Sequence, residues 1–158
     1  NKWLKSHPND VTMRMYLAQQ GIIAKDYRDA IQHLRTAAQI DPENAAILNN
    51  LAWTMGELGD PKAVEVAERA FRLAPGSGAV ADTYGWLLVQ RGDAARGVEL
   101  LRLATNLEPG DPEKRLRLAK GLLKTGDKAA ARKELEALTK PGPTSPTFAE
   151  AEKMLKEL

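Results

Sequence analysis

The stretch DPENAAILNNLAWTMGELGD, residues 41–60, decides the fold of the chain. Pro42 does not fit inside a helix, whereas Asn44 belongs to the residue types that cap the start of one. From Ile47 onward, apolar residues recur three or four positions apart, which is the spacing of one helix face. Gly59 suits the left-handed backbone that ends a helix, and Asp60 suits the start of the next. The stretch therefore predicts one complete helix between two turns.

The same signals recur along the chain at nearly constant intervals. Four prolines are spaced by 34, 33 and 34 residues: Pro8, Pro42, Pro75 and Pro109. The Gly-Asp pair recurs at 92–93 and 126–127, and Lys25-Asp26 takes its place at the start of the chain. A capping residue type follows each proline by two positions: Asp10, Asn44, Ser77 and Asp111. This periodicity predicts repeated helix pairs, each ended by a proline and divided by a midpoint turn.

Large and small residues occupy equivalent places in each predicted pair. The first helices carry a large residue followed by a small one at Leu17-Ala18, Leu51-Ala52, Tyr84-Gly85 and Leu118-Ala119. The second helices repeat a spacing of four and then three at Ala30-Leu34-Ala37, Ala63-Ala67-Ala70, Gly97-Leu101-Ala104 and Ala131-Leu135-Leu138. Because a single pair cannot bury such a stripe, stacked neighbours must cover it.

These offsets resemble the tetratricopeptide repeat (TPR), a helical hairpin of 34 residues. The resemblance implies an all-α fold, a TPR superhelical solenoid of antiparallel helix pairs with a C-terminal capping helix. It divides the chain into units at 11–44, 45–77, 78–111 and 112–139. The first unit departs from the family pattern because it lacks the midpoint glycine, and the second is one residue short at Asp60-Pro61.

The two ends complete this division. Residues 1–10 are interpreted as the remnant of a preceding repeat, and the start at Asn1 suggests a piece of a longer protein. Residues 140–146 are rich in proline and predict a loop. Residues 147–158 predict a capping helix over the last pair, with one apolar face made of Phe148, Ala151, Met154, Leu155 and Leu158.

Three runs, Asn49–Trp53, Ala81–Asp93 and Ala130–Leu138, are similar to the C-terminal repeats of bacterial TPR lipoproteins of the PEP-CTERM and exosortase sorting system. This resemblance implies an exported, outer-membrane-attached bacterial protein that acts in protein sorting or exopolysaccharide assembly. The protein would then lie in the periplasm or at the outer membrane. Without this resemblance, the expected location is the cytoplasm.

The TPR resemblance also implies where a partner binds, because the first helix of each unit lines the concave face in this family. The side chains at the ligand-facing places form a predicted groove with an aromatic centre and a basic end. Its members are Tyr16, Gln19, Asn49, Asn50, Trp53, Asp82, Thr83, Trp86, Gln90, Arg117, Lys120 and Lys124.

Each part of this groove has a structural alternative. Trp53 and Trp86 stand at the same place of adjacent units, where they serve either as a hydrophobic anchor for a peptide or as packing between helices. Asn49 and Asn50 either bind a peptide backbone or space neighbouring units. Three basic residues, Arg117, Lys120 and Lys124, either meet a carboxylate or form a solvated face.

The carboxylate clamp of chaperone-binding TPR domains is disfavoured by the same places. Starting from the first unit, only Asn50 matches that pattern, because Met15 and Gln19 stand where Lys and Asn are required. Starting from the second unit, Asn49, Trp53 and Thr83 miss the first three requirements.

Composition and motifs favour no catalytic, metal or nucleic-acid site. Lys and Arg number 23 against 21 Asp and Glu, which is no strongly basic surface for nucleic acid. There is no cysteine, the two histidines are isolated, and no nucleophile, metal-ligand or phosphate-binding motif is present. We therefore expect no enzyme activity, no cofactor, no metal and no membrane-inserted segment.

Two hypotheses follow for function. The first is a scaffold that binds a peptide or protein segment in its concave groove. The second is an architectural segment of a longer solenoid that associates with itself, for example through the truncated N-terminal end.

Overall fold

The computed structural model describes residues 2–139 and 145–158, and within these ranges every regular element is a helix. The helices are α1 (Lys2–Ser6), α2 (Val11–Ile23), α3 (Tyr27–Ile40), α4 (Ala45–Glu57), α5 (Ala63–Leu73), α6 (Gly78–Gln90), α7 (Ala94–Leu107), α8 (Pro112–Lys124), α9 (Lys128–Leu138) and α10 (Pro146–Lys156). They form two compact bodies, the N-terminal body at Asn1–Pro75 and the C-terminal body at Gly76–Leu158. Most of the loop predicted at 140–146 lies outside the described residues.

The predicted caps at the starts of the first helices are confirmed. The Asp10 carboxylate accepts a hydrogen bond from the Met13 backbone N–H at 2.9 Å. In the same way, Asn44 caps α4, Ser77 caps α6 and Asp111 caps α8. These bonds satisfy N–H groups that have no partner inside the helix, so the sequence itself fixes where each first helix begins.

The midpoint turns follow the predicted pattern in their backbone, but two of the four predicted aspartate caps do not form. Gly59, Gly92 and Gly126 all have positive φ, and Lys25 adopts φ 59° where the first pair lacks glycine. Asp26 and Asp127 cap the helices that follow them. The expectation that Asp60 and Asp93 do the same is wrong. Helix α5 starts later than expected, with Lys62 at its cap position and no side-chain cap bond, and Asp60 accepts a hydrogen bond from the Lys62 N–H instead. Asp93 makes no cap bond, and its carboxylate lies 3.4 Å from the Arg96 guanidinium.

Lys25→Gly is expected to stabilise the chain by about 1 kcal/mol, because a residue with a Cβ is strained in the left-handed region and glycine is not. Lys25 is exposed, so its replacement removes no packing. Chemical unfolding followed by circular dichroism measures the change. Unaltered or lower stability would contradict this account of the turn.

The N-terminal body is built from consecutive antiparallel helices, with α2 packed on α3, α3 on α4 and α4 on α5. Small residues allow the close approach: Ala18, Ala30, Ala37, Ala52, Ala67 and Ala70 are almost fully buried. Leu34 and Ile47 fill the space between them. These are largely the small and large positions that the sequence pattern selected.

In the C-terminal body, α6 and α7 come into backbone contact at two glycines. A Cβ built on Gly97 would lie 2.6 Å from the Gly85 carbonyl oxygen, and a Cβ on Gly85 would lie 2.8 Å from the Gly97 carbonyl oxygen. Real Cβ atoms do not come this close to a backbone oxygen. Glycine is therefore required at both positions by backbone contact between helices.

Helix α10 covers the exposed side of the last helix pair, as predicted. Ala151 is fully buried in a cluster with Leu116, Ala119 and Leu135 of α8 and α9. Met154, Leu155 and Leu158 pack against the same cluster. Ser145 caps α10 by accepting a hydrogen bond from the Phe148 N–H at 3.2 Å.

Candidate functional site

The predicted ligand-binding residues of α2 lie on an exposed surface. Tyr16 is 58% exposed and Gln19 is also exposed. Ile23, two turns beyond Tyr16 on the same side of the helix, is 67% exposed. Helix α2 thus exposes one aromatic and one aliphatic side chain to solvent.

On α4, Asn49, Asn50 and Trp53 are all half-buried. The Trp53 ring meets the Tyr27 ring edge to face, with centroids 6.0 Å apart and planes at 79°. Burial raises the pKa of Tyr27, and the carboxylate of Glu57 raises it further by its charge and a hydrogen bond. Trp53 is therefore held by an aromatic neighbour on α3 while part of its surface remains accessible.

The side-chain oxygen of Asn49 lies in an unusual environment. Its Oδ1 atom is buried, and no described residue donates a hydrogen bond to it. A buried polar atom without a partner costs about 1–3 kcal/mol, so most such atoms in proteins are paired.

On α6, the predicted residues are more deeply buried than those on α4. Asp82 and Thr83 are only 6% and 5% exposed, and Trp86 is half-buried. Trp86 packs against the apolar cluster that contains Val89, Leu118 and Leu122. Gln90 is exposed at the end of the helix. Part of the Trp86 surface thus belongs to the core of the C-terminal body.

The structure brings Asp82 and Arg117 together from α6 and α8. An Arg117 guanidinium N–H donates to Asp82 Oδ2 in a partly buried ion pair. The second oxygen, Oδ1, is buried and accepts no hydrogen bond from any described residue. Burial raises the pKa of Asp82 above its ordinary value, although the positive charges of Arg117 and Lys114 act in the opposite direction.

The predicted basic end of the groove is largely neutralised within the C-terminal body. Arg117 is paired with Asp82, and Lys120 Nζ lies 2.7 Å from a carboxylate oxygen of Glu150 on α10. Lys124 is exposed at the last position of α8. Lys124 thus keeps the exposure that an acidic ligand would need.

Two neighbours of the predicted residues were not found by sequence analysis. Tyr27 was not among the predicted site residues because it lies on a second helix, whereas the TPR pattern places ligand contacts on first helices. Glu150 was not among the predicted site residues because its pairing with Lys120 depends on how α10 lies on α8. Neither contact has a signal in residue spacing.

The raised pKa of Asp82 predicts a pH-dependent stability. Because the folded pKa exceeds the ordinary value of 3.8, the native state binds more protons than the unfolded state between these two values. The stability contributed by protonated Asp82 is present below pH 3.8 and is lost as pH rises through the folded pKa. Asp82→Asn should therefore gain free energy of unfolding relative to the native chain as pH rises through this window.

Chemical unfolding of the native chain and Asp82→Asn across this pH range measures the effect. Arg117→Met provides the complementary variant, because loss of its charge should raise the pKa of Asp82 further and enlarge the drop in stability. A decrease in the stability of Asp82→Asn relative to the native chain as pH rises would contradict the assignment.

Within the described residues, no group of three His, Cys, Asp or Glu side chains is arranged to hold a metal ion. Nor is any of the described helices long and apolar enough to cross a bilayer. The candidate site is made of aromatic, amide and ion-paired side chains.

The fold and these side chains define a helical-repeat protein of the binding-scaffold class. A family model described as tetratricopeptide repeat matches residues 22–67 and 88–155. The chain belongs to the tetratricopeptide repeat family.

The chain is also similar to several particular proteins. It is 34% identical over 134 residues to the cellulose synthase 2 operon protein C of Komagataeibacter xylinus, a match that covers 79% of this chain. The chain spans only 10% of the length of that curated relative.

Among solved structures, the chain is similar to TTC0263, a thermophilic TPR protein of Thermus thermophilus, with a TM-score of 0.84 and 20% identity over 97% of this chain and 85% of that one. YrrB, described as a TPR protein with an unusual peptide-binding site, gives a TM-score of 0.74 and 17% identity over 95% of this chain and 78% of that one. These likenesses confirm the all-α TPR fold.

Proposed function

We propose that this chain is a protein-binding module that holds extended peptide segments on its first helices. The observation that carries the proposal is the repeated presence of a buried, unpaired acceptor. Asn49 of α4 and Asp82 of α6 occupy the same place of successive repeat units, and each has an Oδ1 atom without a donor among the described residues.

An extended peptide supplies the missing donors. Its backbone N–H groups point alternately to opposite sides of the peptide, and each is a strong hydrogen-bond donor. Rotation of the Asn49 or Asp82 side chain would bring its buried Oδ1 atom to the surface, where a peptide N–H can donate to it. The bond would replace an unsatisfied acceptor by a satisfied one, which gives more free energy than a bond formed on an already hydrated surface. Trp53 lies on the same helix as Asn49, one turn further on, and provides an apolar contact for a neighbouring side chain of the peptide.

A peptide selection tests this proposal. The chain is used to select binders from a displayed library of random peptides, and the affinity of synthetic versions is measured by calorimetry. Asn49→Ala and Trp53→Ala should each weaken binding about tenfold, because each removes a buried contact to the ligand. Gln32→Ala, an exposed position on α3, is the matched control and should leave the affinity unchanged.

Failure of the selection to yield peptides sensitive to Asn49 or Trp53 would contradict the proposal. Circular dichroism and unfolding curves for each variant separate lost binding from lost folding. A folded Trp53→Ala variant with native affinity would show that Trp53 only packs against Tyr27.

We further propose that the module forms part of a larger bacterial envelope protein that acts in exopolysaccharide production or protein sorting. The support for exopolysaccharide production is the 34% identity to a cellulose synthase operon protein, of which this chain matches a small part. Protein sorting rests on the resemblance of three sequence runs to PEP-CTERM-associated lipoproteins. Fractionation of the source cells and deletion of this segment from the gene provide the test. An envelope location and loss of exported polysaccharide or sorted protein are expected, whereas a cytoplasmic location would contradict the proposal.

An architectural role through self-association is the second candidate. Trp3, Tyr16 and Ile23 are large apolar side chains that are between 47% and 67% exposed in the N-terminal body. A concentration-dependent dimer in analytical ultracentrifugation that is lost in Tyr16→Ser combined with Ile23→Ser would favour this role. A monomer at all concentrations would contradict this role.

A further inference from the structure

A cavity of about 430 Å³ opens on the N-terminal body between α3, α4 and α5. Its floor is apolar and consists of Ala38 of α3, Leu48 and Leu51 of α4, and Val66 of α5. The volume is within the range of pockets that take small ligands or a few side chains, which is about 300–1,000 Å³. The proposed peptide site on the first helices does not use this cavity.

The cavity and the peptide site lie on different sides of α4. With 3.6 residues per turn, Asn49 and Trp53 are rotated about 100° and 140° from Leu48 around the helix axis, whereas Leu51 is rotated about 60° the other way. Leu48 and Leu51 therefore face the cavity, and Asn49 and Trp53 face away from it. A ligand in the cavity would not compete with a peptide at Trp53.

Two guanidinium groups stand at the rim of the cavity, Arg35 on α3 and Arg69 on α5. The side chain of Arg35 is 58% exposed, and its guanidinium lies 3.7 Å from the carboxylate of Asp60. Such an exposed pair contributes little and is readily exchanged for another carboxylate. Arg69 donates a hydrogen bond to the Pro42 carbonyl, which is neutral, and no described carboxylate forms an ion pair with it.

The third charged group at the rim is Glu65. It precedes Arg69 by one turn of α5, a spacing at which ion pairs often form. Within the described residues the two do not pair, since the Arg69 guanidinium is directed to Pro42 instead. Because Asp60 also lies beside Arg35, the charges around the rim balance. Arg69 is the cation at the rim that no described carboxylate pairs with, and it stands over an apolar floor.

We propose that this cavity is a second binding site, which takes a short partner segment in which an acidic residue adjoins an aliphatic or aromatic one. The apolar side chain rests on Leu48, Leu51 and Val66, and the carboxylate pairs with Arg69 and Arg35. A guanidinium presents parallel N–H groups that match the two oxygens of a carboxylate. The site is independent of the peptide site on the first helices.

Nuclear magnetic resonance of the isotope-labelled chain tests the proposal with three synthetic probes. They are the acetylated tetrapeptide amides Asp-Leu-Glu-Phe, Lys-Leu-Lys-Phe and Asp-Ser-Glu-Ser, each titrated to millimolar concentration. The first peptide should cause saturable shifts at the amides of Ala38 and Val66 and at the Arg69 side chain. The other two should not, since they lack either the negative charge or the apolar groups.

Three variants on α5 and one on α4 define the charge and the location. Arg69→Gln should weaken binding of the first peptide about tenfold, because a charge-assisted hydrogen bond is lost. Glu65→Gln should tighten it about threefold, because a repelling charge is removed. Arg72→Gln is the matched control, since Arg72 is exposed on the same helix and pairs with Glu68 outside the cavity. Trp53→Ala should leave this binding unchanged.

Several results would overturn the proposal. Binding of the lysine peptide, weaker binding in Glu65→Gln, or equal binding of the serine peptide would each show that the ligand chemistry is wrong. Absence of saturable shifts around the cavity with the first peptide would show that the cavity is not a binding site. None of these results bears on peptide binding at Asn49 and Trp53, which the selection experiment tests separately.

Discussion

Gly97→Ala is expected to destabilise the chain by about 3 kcal/mol, although alanine is the better helix former by about 1 kcal/mol. The added Cβ would lie 2.6 Å from the Gly85 carbonyl oxygen and 2.6 Å from a Val89 methyl carbon. The carbonyl belongs to the backbone of α6, so the contact is relieved only if the two helices separate. Urea unfolding followed by circular dichroism measures the loss.

Gly76→Ala is the matched control for this prediction. Gly76 has no positive φ, and a Cβ there would meet no atom within 4 Å. The alanine should be neutral or stabilising by less than about 1 kcal/mol, because it restricts only the unfolded chain. A Gly97→Ala variant as stable as this control would contradict the close approach of α6 and α7.

Ala104→Arg is expected to abolish the fold of the C-terminal body. Ala104 is fully buried on α7, one turn after the fully buried Leu101. An arginine at this position overpacks the interface and brings a charge with no partner into the core. Together these effects should lower the free energy of unfolding by more than about 4 kcal/mol. Loss of helical circular dichroism and a low melting temperature are the expected results.

Asn106→Arg serves as the control because Asn106 is exposed on the same helix. It should retain the stability of the native chain, since a surface substitution rarely changes it by more than about 0.5 kcal/mol. An Ala104→Arg variant that folds like Asn106→Arg would contradict the assignment of small residues to the buried stripe of the second helices.

The helix starts and turns could be predicted from the sequence because they depend on local chemistry. Asn44 and Asp111 accept hydrogen bonds from N–H groups only two or three residues away. The midpoint turns depend on backbone conformations that glycine adopts without strain. Asp93 shows the limit of this reasoning, since it stands at the start of α7 yet pairs with Arg96 instead of capping the helix.

The candidate site could be predicted only as a set of positions on first helices. Its electrostatics depend on contacts between helices distant in sequence, such as Asp82 with Arg117 and Lys120 with Glu150. These pairs neutralise charges that the sequence presented as a basic end. The unpaired acceptors at Asn49 and Asp82 likewise follow from burial, which residue type and spacing do not specify.

The aromatic part of the site remains a prediction. Trp53 contacts Tyr27 and Trp86 contacts the core of its own body, yet both are half-buried and keep accessible surface. Trp86→Ala should therefore cost stability as well as any binding, because it leaves a gap beside Val89 and Leu122. For this reason Trp53 gives the cleaner test of ligand contact.

The most direct test of peptide binding is a nuclear Overhauser measurement on the chain in complex with a selected peptide. We expect contacts from the peptide backbone amides to the Asn49 side chain and from a peptide side chain to the Trp53 indole, with the fold unchanged. Contacts confined to the second helices, with none at Asn49 or Trp53, would contradict the proposed binding of extended segments on the first helices.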